Sequence, residues 1–245
     1  RERQQIMKYL QESHFVRYSD GDRYGRLKLR SLFDYAQDAA GKHAELLGVG
    51  FEELRQRNQV WVLSRIGLKM QRYPEICEPF ALTTYPMGFE RFFARREFRF
   101  VDGNGKPLGQ ASSYWLLLEL DSMRILDPHK ELTDKMPDNS DMSLAFESLG
   151  KIRPETPELH LCQIIQEAQI DMNGHLNNAE YAALIHNFLG AGKYPSYLQI
   201  NYQNGVPVNS QVELSGTITA DNFSIQGETD KKIAFQAEGK LLSEA

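Results

Sequence analysis

The sequence has little of several features that would point to special classes of protein. It contains only two cysteines, Cys77 and Cys162, too few for a disulfide framework, so a reducing cytoplasm is expected. No stretch approaches the ~20 apolar residues of a membrane-spanning helix, and residues 1–11 lack the apolar core of a signal peptide. His160 and Cys162 are too sparse for zinc, so neither a metal nor an organic cofactor is expected.

Length and composition fit a soluble globular protein. A chain of 245 residues holds one large domain or two of about 100–150 residues each. A hydrophobic share of 41% and a charged share of 25% are typical of soluble globular proteins. The number of domains has to be decided from the pattern along the chain.

The net charge of −5 is unevenly distributed. Residues 23–72 contain 10 Lys and Arg against 5 Asp and Glu, whereas residues 131–190 contain 3 against 10. The basic stretch, with Arg65, Lys69 and Arg72, either steers an acidic partner or is ordinary solvated surface, and both readings stay open. Nucleic acid is a poor candidate, because the chain as a whole is acidic and shows no binding motif.

Each half of the chain contains a helical pattern followed by a series of strand patterns. The first helix is predicted over residues 31–47, with Leu32, Ala36, Ala40, His43 and Leu47 on one face. His43 on this face is expected to be a buried core histidine. Strands are predicted at 14–18, 62–70, 80–85, 92–101 and 110–120 in the first half, and at 161–170, 197–202, 211–220, 223–228 and 232–242 in the second.

The predicted strand over residues 92–101 alternates between apolar and polar positions. Phe92, Ala94, Phe98 and Phe100 face one side, and Arg96 interrupts them. Residues 102–105, Asp-Gly-Asn-Gly, then predict a tight hairpin turn.

Residues 127–159 predict a connector between two domains. Four prolines punctuate this polar, acidic stretch: Pro128, Pro137, Pro154 and Pro157. Within it, only residues 144–149 suggest a brief helix.

The most informative stretch is residues 171–178, Asp-Met-Asn-Gly-His-Leu-Asn-Asn. If this segment is extended, Asp171, Asn173 and His175 project to the same side. Asn178 is predicted to cap a helix over residues 179–189, whose N-terminus favours developing negative charge. This arrangement suits an activated water beside an oxyanion site, whereas the structural alternative is ordinary turn and capping chemistry.

An internal repeat relates the two halves. Asp22, Gly25 and Leu27 correspond to Asp171, Gly174 and Leu176 at a constant offset of 149 residues. In place of Asn173 and His175, the first half has Tyr24 and Arg26, and arginine stays protonated and cannot act as a base. The first half is therefore expected to be a non-catalytic partner of the second.

The stretch from Asp171 to Tyr181 resembles the signature of the acyl-acyl-carrier-protein (acyl-ACP) thioesterases, bacterial type, and residues 14–22 and 102–106 also resemble that family. The resemblance implies an α+β protein of two tandem hot-dog domains, each an antiparallel sheet wrapped around a central helix. We expect an N-terminal hot-dog domain over residues 1–126 on the acyl-pocket side, a linker over 127–159, and a C-terminal hot-dog domain over 160–245 carrying the catalytic motif.

The resemblance also implies an activity: hydrolysis of the thioester between a fatty acyl chain and acyl carrier protein, an acidic partner, in fatty acid biosynthesis. Asp171 would orient or activate the nucleophile, Asn173 would position groups, and His175 would transfer protons. Asn177 and Asn178, at the helix N-terminus, would belong to the oxyanion region. The oligomeric state stays open, a homodimer included.

The sequence departs from the family at one position. Many members carry a glutamate after the strand that follows the second helix, and residues 203–206 around Gly205 contain no carboxylate. Glu167, Glu180 and Glu213 are alternative carboxylates. Two other functions therefore remain open: a weakly active or non-catalytic hot-dog protein that binds acyl chains or a carrier protein, and an acyl-coenzyme A thioesterase.

Overall fold

The computed structural model describes residues 7–243, in which ten strands form one antiparallel sheet with two longer helices packed against it. Residues 1–6 and 244–245 of the predicted domains lie outside the described residues. The first half contains β1 (Leu10–Phe15), α1 (Leu29–Leu46), α2 (Phe51–Gln56), β2 (Gln59–Met70), β3 (Pro79–Glu90), β4 (Phe93–Asp102) and β5 (Pro107–Glu119). After α3 (Pro128–Leu132), the second half contains β6 (Leu159–Ile164), α4 (Asn178–Leu189), β7 (Pro195–Tyr202), β8 (Gln211–Ile218), β9 (Asn222–Thr229) and β10 (Lys232–Leu241).

The strand order reflects the internal repeat. It runs β1-β3-β4-β5-β2-β7-β10-β9-β8-β6, so that the second half repeats the order of the first in reverse across the β2–β7 junction. At this junction Arg65 pairs with Asn201 and Lys69 with Tyr197. Helices α1 and α4 pack against each other. The expected helix followed by antiparallel strands is therefore confirmed in both halves.

Helix α1 forms because its sequence is amphipathic. Leu32, Ala36, Ala40 and His43 are buried on one face at helical spacing, as predicted. The helix begins two residues before the predicted start, because Leu29 extends the same buried face. The small alanines of this face allow the sheet to approach the helix closely.

In two places a predicted strand includes residues that form a 3-10 turn in the structure. β1 covers Leu10–Phe15 rather than residues 14–18, and Tyr18–Asp20 forms a single 3-10 turn. β6 likewise ends at Ile164, before a 3-10 turn over Glu167–Gln169. The first of these turns is fixed by Asp20, whose carboxylate accepts hydrogen bonds from Arg17 Nε and Tyr35 Oη, both at 2.7 Å.

The connector packs along the outer face of the sheet. The prediction of a brief helix over residues 144–149 is wrong. This stretch is irregular, and contacts with the sheet hold it in place of helical backbone hydrogen bonds. The N–H of Ala145 donates to Glu97 Oε2 at 2.8 Å, and the side chains of Phe146 and Leu149 are buried. The helix in this segment is α3 instead, which Asp127 caps by accepting the N–H of His129 at 3.1 Å.

Three basic residues of the first half, Arg65, Lys69 and Arg72, are engaged within the fold. Arg65 donates to the carbonyl of Leu149, and Lys69 donates to the carbonyl of Ala145 at 3.1 Å, so both hold the connector. Arg72 pairs with Glu78 at 2.6 Å and with Asp102 at 3.3 Å. These three cations are therefore not a free docking surface, and reversing their charge would break contacts of the fold.

Candidate active site

Residues 171–176 form a tight turn that the carboxylate of Asp171 holds together. Asp171 Oδ1 accepts the N–H of Asn173 at 2.8 Å and that of His175 at 3.5 Å. The N–H of Asp171 donates to the carbonyl of His175 at 2.8 Å, and Gly174 adopts a φ of +78°, which glycine tolerates without strain. The extended conformation assumed for this segment is therefore wrong.

The start of α4 follows this turn directly. Asn177 is the N-cap: its side chain accepts the N–H of Ala179 at 2.9 Å. The prediction that Asn178 caps the helix is wrong by one residue, and Asn178 is instead the first residue of the helix. The predicted inward face is confirmed, since Ala182 and Ile185 are fully buried.

A cavity of about 440 Å³ lies between α1 and the strands of the first half. Most of its wall is apolar, including Ala40, Ala44, Val49, Leu54, Trp61 and Trp115. The second half contributes five residues to its lining: Asp171, Met172, Asn173, Asn177 and Asn178. Four of the five predicted site residues therefore meet a largely apolar chamber formed by the other half of the chain.

His175 is the predicted site residue that does not line this cavity. Its side chain is exposed, and its ring lies against Gly205. A β-carbon built on Gly205 would fall 2.7 Å from Cδ2 of His175. The backbone turn at residues 171–176 directs the ring away from the cavity wall. In an extended segment the ring would have faced the same side as Asp171 and Asn173.

The corresponding turn of the first half, at residues 22–27, is held by the same pattern of hydrogen bonds. Asp22 Oδ1 accepts the N–H of Tyr24 at 2.8 Å and that of Arg26 at 3.1 Å, as Asp171 does in its own turn. The other oxygen of Asp22 accepts a hydrogen bond from Tyr194 Oη. Burial, followed by this bond, raises the pKa of Tyr194. The guanidinium of Arg26 lies 5.1 Å from the centre of the Tyr194 ring, so Tyr194 packs against the turn of the first half.

None of the three alternative carboxylates lines the cavity. Glu180 is buried and pairs with Arg30 at 2.6 Å, while Glu167 and Glu213 are exposed elsewhere. The second carboxylate in the cavity wall is Glu45 of α1, for which no sequence pattern indicated a role in the site. Its Oε1 accepts the N–H of Phe51 at 2.7 Å, so this residue stabilises the start of α2.

Arg96 also lies in the cavity wall, and its place was visible in the sequence as a charge within an apolar strand face. Arg96 Nη1 is 3.1 Å from Nδ1 of His43, the histidine predicted to lie in the core. That prediction is confirmed, since His43 is fully buried. Burial, followed by the charge of Arg96, lowers the pKa of His43 to about 4. Burial lowers the pKa of Arg96 to about 10, so the guanidinium is charged at neutral pH while the imidazole is neutral.

Between residues 7 and 243 no helix is both long and apolar enough to cross a membrane.

Comparison with known proteins gives matches in sequence. A family model described as the acyl-ACP thioesterase N-terminal domain matches residues 7–136. The chloroplastic palmitoyl-acyl carrier protein thioesterase of Gossypium hirsutum is 28% identical over 171 residues, covering 64% of this chain and 41% of that protein. The chloroplastic oleoyl-acyl carrier protein thioesterase of Coriandrum sativum is 23% identical over 172 residues, covering 62% and 46%. The chain thus spans less than half the length of these relatives.

Solved structures match over nearly the whole chain. An acyl-ACP thioesterase from Bacteroides thetaiotaomicron superposes with a TM-score of 0.84 at 22% identity, covering 96% of this chain and 98% of that one. A 12:0-ACP thioesterase from Umbellularia californica gives a TM-score of 0.82 at 17% identity, covering 96% and 94%. The α+β fold of two tandem hot-dog units predicted from the sequence is thereby confirmed.

Proposed function

The chain belongs to the acyl-ACP thioesterase family, and from this premise we propose that it hydrolyses the thioester of fatty acyl-acyl carrier protein. The products would be a free fatty acid and the carrier thiol, and the reaction would serve fatty acid biosynthesis. One observation carries the proposal: an apolar chamber of the first half meets a carboxylate and amides of the second half. An acyl chain would occupy the chamber while its thioester lies beside the turn at residues 171–176.

Asp171 is proposed to activate the attacking water. Its Oδ1 is used by the turn, whereas its Oδ2 makes no hydrogen bond to any residue that the structure describes. Oδ2 is therefore free to take a proton from water as the oxygen attacks the carbonyl carbon. The carbon–sulfur bond then breaks, and the sulfur leaves with a proton as the carrier thiol.

Asn173, Asn177 and Asn178 are proposed to stabilise the charge that develops on the carbonyl oxygen. The amide of Asn173 lies in the cavity wall, and Asn178 opens the N-terminal turn of α4, where the helix dipole favours negative charge. His175 is proposed to transfer the proton to the leaving sulfur. Its ring lies against Gly205, outside the cavity lining, so the sulfur and the carrier arm are proposed to lie on this side of the turn.

A second candidate function is binding of acyl chains or a carrier protein without efficient turnover. The ring of His175 outside the cavity wall and the absence of a carboxylate at residues 203–206 favour this alternative. An acyl-coenzyme A thioesterase is the third candidate, since coenzyme A and carrier protein present the same kind of thioester.

A hydrolysis assay across carrier-protein and coenzyme A thioesters of graded chain length tests the proposal. We expect kcat/KM to be highest for a carrier-protein thioester. Binding without hydrolysis of any thioester would establish the acyl-binding alternative, and faster hydrolysis of the coenzyme A series would establish the third candidate.

The proposed partners are an acidic acyl carrier protein and its acyl chain, and the proposed compartment is the cytoplasm. Both cysteines, Cys77 and Cys162, are free and exposed, which suits a reducing environment. The site does not require a homodimer, because both of its walls belong to one chain. A measurement of mass in solution decides whether a homodimer forms.

A further inference from the structure

Arg96 places a charge in the wall of an otherwise largely apolar chamber. It lies on the inner face of β4 between Ala94 and Phe98, and only 8% of its surface is exposed. It lines the cavity together with Ala94 and with Ala40 of α1. A buried guanidinium normally pairs with a carboxylate, because removing an unpaired charge from water is costly.

No carboxylate among the described residues lies within 4.0 Å of the Arg96 guanidinium. Its neighbour Arg95 faces the other side of the sheet and pairs with buried Glu97 at 2.8 Å. The hydrogen bonds of the Arg96 guanidinium all involve Nη1, which contacts His43 Nδ1 at 3.1 Å and Thr84 Oγ1 at 3.2 Å. Nε and Nη2 have no hydrogen-bonding partner in residues 7–243.

The two neighbours of Nη1 do not neutralise its charge. His43 Nε2 lies 3.1 Å from the carbonyl of Met7 and donates its proton to it, so Nδ1 is the acceptor for Arg96. Thr84 Oγ1 donates to the carbonyl of Glu97 at 3.0 Å and accepts from Arg96. Both neighbours are neutral acceptors, so neither of them offsets the positive charge of Arg96.

The unused edge of Arg96 has a defined chemical preference. Nε–H and Nη2–H point in parallel along one side of a guanidinium, which matches two oxygens of a carboxylate and also serves a single hydroxyl or oxo oxygen. A purely hydrocarbon ligand that filled the chamber would displace water from this edge without replacing its hydrogen bonds. Such a ligand would bind less well than one that carries an oxygen at the level of Arg96.

We propose that the chamber selects acyl chains that carry an oxygen function beyond the thioester, and that Arg96 is the residue that receives it. This inference rests on the proposed function, because it names the class of acyl chain that the same site takes. The oxygen function is a hydroxyl, an oxo group or a carboxylate, and the carboxylate fits the two-pronged edge most completely.

Calorimetric titration of the whole chain tests this without requiring turnover. The probes are amide analogues of acyl pantetheine of one chain length, which cannot be hydrolysed as thioesters: a plain chain and its hydroxy, oxo and terminal-carboxy counterparts. We expect at least one oxygenated analogue to bind about tenfold more tightly than the plain chain. Equal or tighter binding of the plain chain would overturn the proposal.

Substitutions of Arg96 test whether this residue causes the preference for oxygenated analogues. Arg96→Met should bring the affinities for plain and oxygenated analogues within about twofold of each other, and a preference that survives would overturn the assignment. Arg99→Met is the matched control, because Arg99 lies on the outer face of β4 and donates to Tyr85 Oη at 2.9 Å. It should keep the preference of the unmodified chain.

Arg96→Lys keeps the test decisive if the methionine variant does not fold. A lysine retains the charge but cannot present two parallel N–H groups, so the advantage of the carboxy analogue over the hydroxy analogue should fall at least about threefold. An unchanged advantage would contradict a role for the guanidinium edge. Tight binding of an oxygenated analogue with no hydrolysis of any thioester would refute the proposed function and leave the binding preference standing.

Discussion

The ring of His175 fills the space in which a side chain at residue 205 would begin. A β-carbon added to Gly205 would lie 2.7 Å from Cδ2 and 2.9 Å from Cγ of that ring, closer than real β-carbons approach other atoms. The position where the family resemblance implies a glutamate is therefore next to the proposed proton carrier. The ring of His175 therefore occupies space that a glutamate side chain at residue 205 would need.

Gly205→Ala should displace the imidazole and lower turnover. If His175 transfers a proton from near its present position, kcat should fall about tenfold, on the order of 1.4 kcal/mol of barrier, as in His175→Ala. Gly150→Ala is the matched control, because a β-carbon there meets nothing within 4 Å. Steady-state kinetics with a thermal melt of each variant checks this, and full activity in Gly205→Ala would remove His175 from the mechanism.

Gly205→Glu restores the carboxylate but also displaces the ring of His175. We expect its kcat to stay at or below that of the unmodified chain, because the new β-carbon moves the ring of His175. The measurement is kcat across several acyl chain lengths. A clear rise in kcat would mean that the missing acid, and not the position of the ring, limits the reaction.

Narrowing the chamber should shift its preference towards shorter acyl chains. Ala44 lines the cavity from α1, so Ala44→Phe would fill part of the space of about 440 Å³. Leu46→Phe is the control on the same helix, since Leu46 is 60% exposed and does not line the cavity. Competition between short and long substrates gives the preference, and an unchanged preference in Ala44→Phe would place the acyl chain elsewhere.

Buried His43 should make the fold less stable in acid. Its pKa is near 6.5 in the unfolded chain and about 4 in the folded protein, so between these values only the unfolded chain binds the proton. The free energy of unfolding should fall as the pH drops through this window, by at most about 3 kcal/mol, and then level off. In His43→Gln this loss should be smaller. His14 and His186, whose pKa values burial also lowers, stay in both proteins and cancel. Equal losses by urea titration would contradict the assignment.

The sequence was sufficient for the architecture, because periodicity and turn chemistry are local properties. The buried face of α1 and the hairpin after Asp102 could be read directly, since Gly105 adopts the positive φ that such a turn needs. The brief helix at residues 144–149 could not be excluded, because the acceptor for Ala145 N–H is Glu97, distant in the chain. Contacts between distant segments override local preference there.

The candidate site shows the same limit more sharply. Its residue types and its place before α4 were visible in the sequence, but the direction of each side chain was not. Asp171 Oδ1 accepts backbone N–H groups of its own turn. In this turn Asn173 lines the cavity and His175 does not. Arg96 was visible as an exception within an apolar face, yet only the fold shows that it lies in the wall of the cavity.

A comparison of Asp171→Asn with Asp22→Asn isolates the proposed role of the Asp171 carboxylate. Each asparagine keeps the oxygen that accepts the turn N–H groups, so the two variants remove one charge from equivalent turns. Asp22 also accepts a hydrogen bond from Tyr194, so its variant should lose some thermal stability and keep kcat. We expect Asp171→Asn to keep its fold and to lose at least about tenfold in kcat on a carrier-protein thioester, ~1.4 kcal/mol. Equal kcat in the two variants would contradict it.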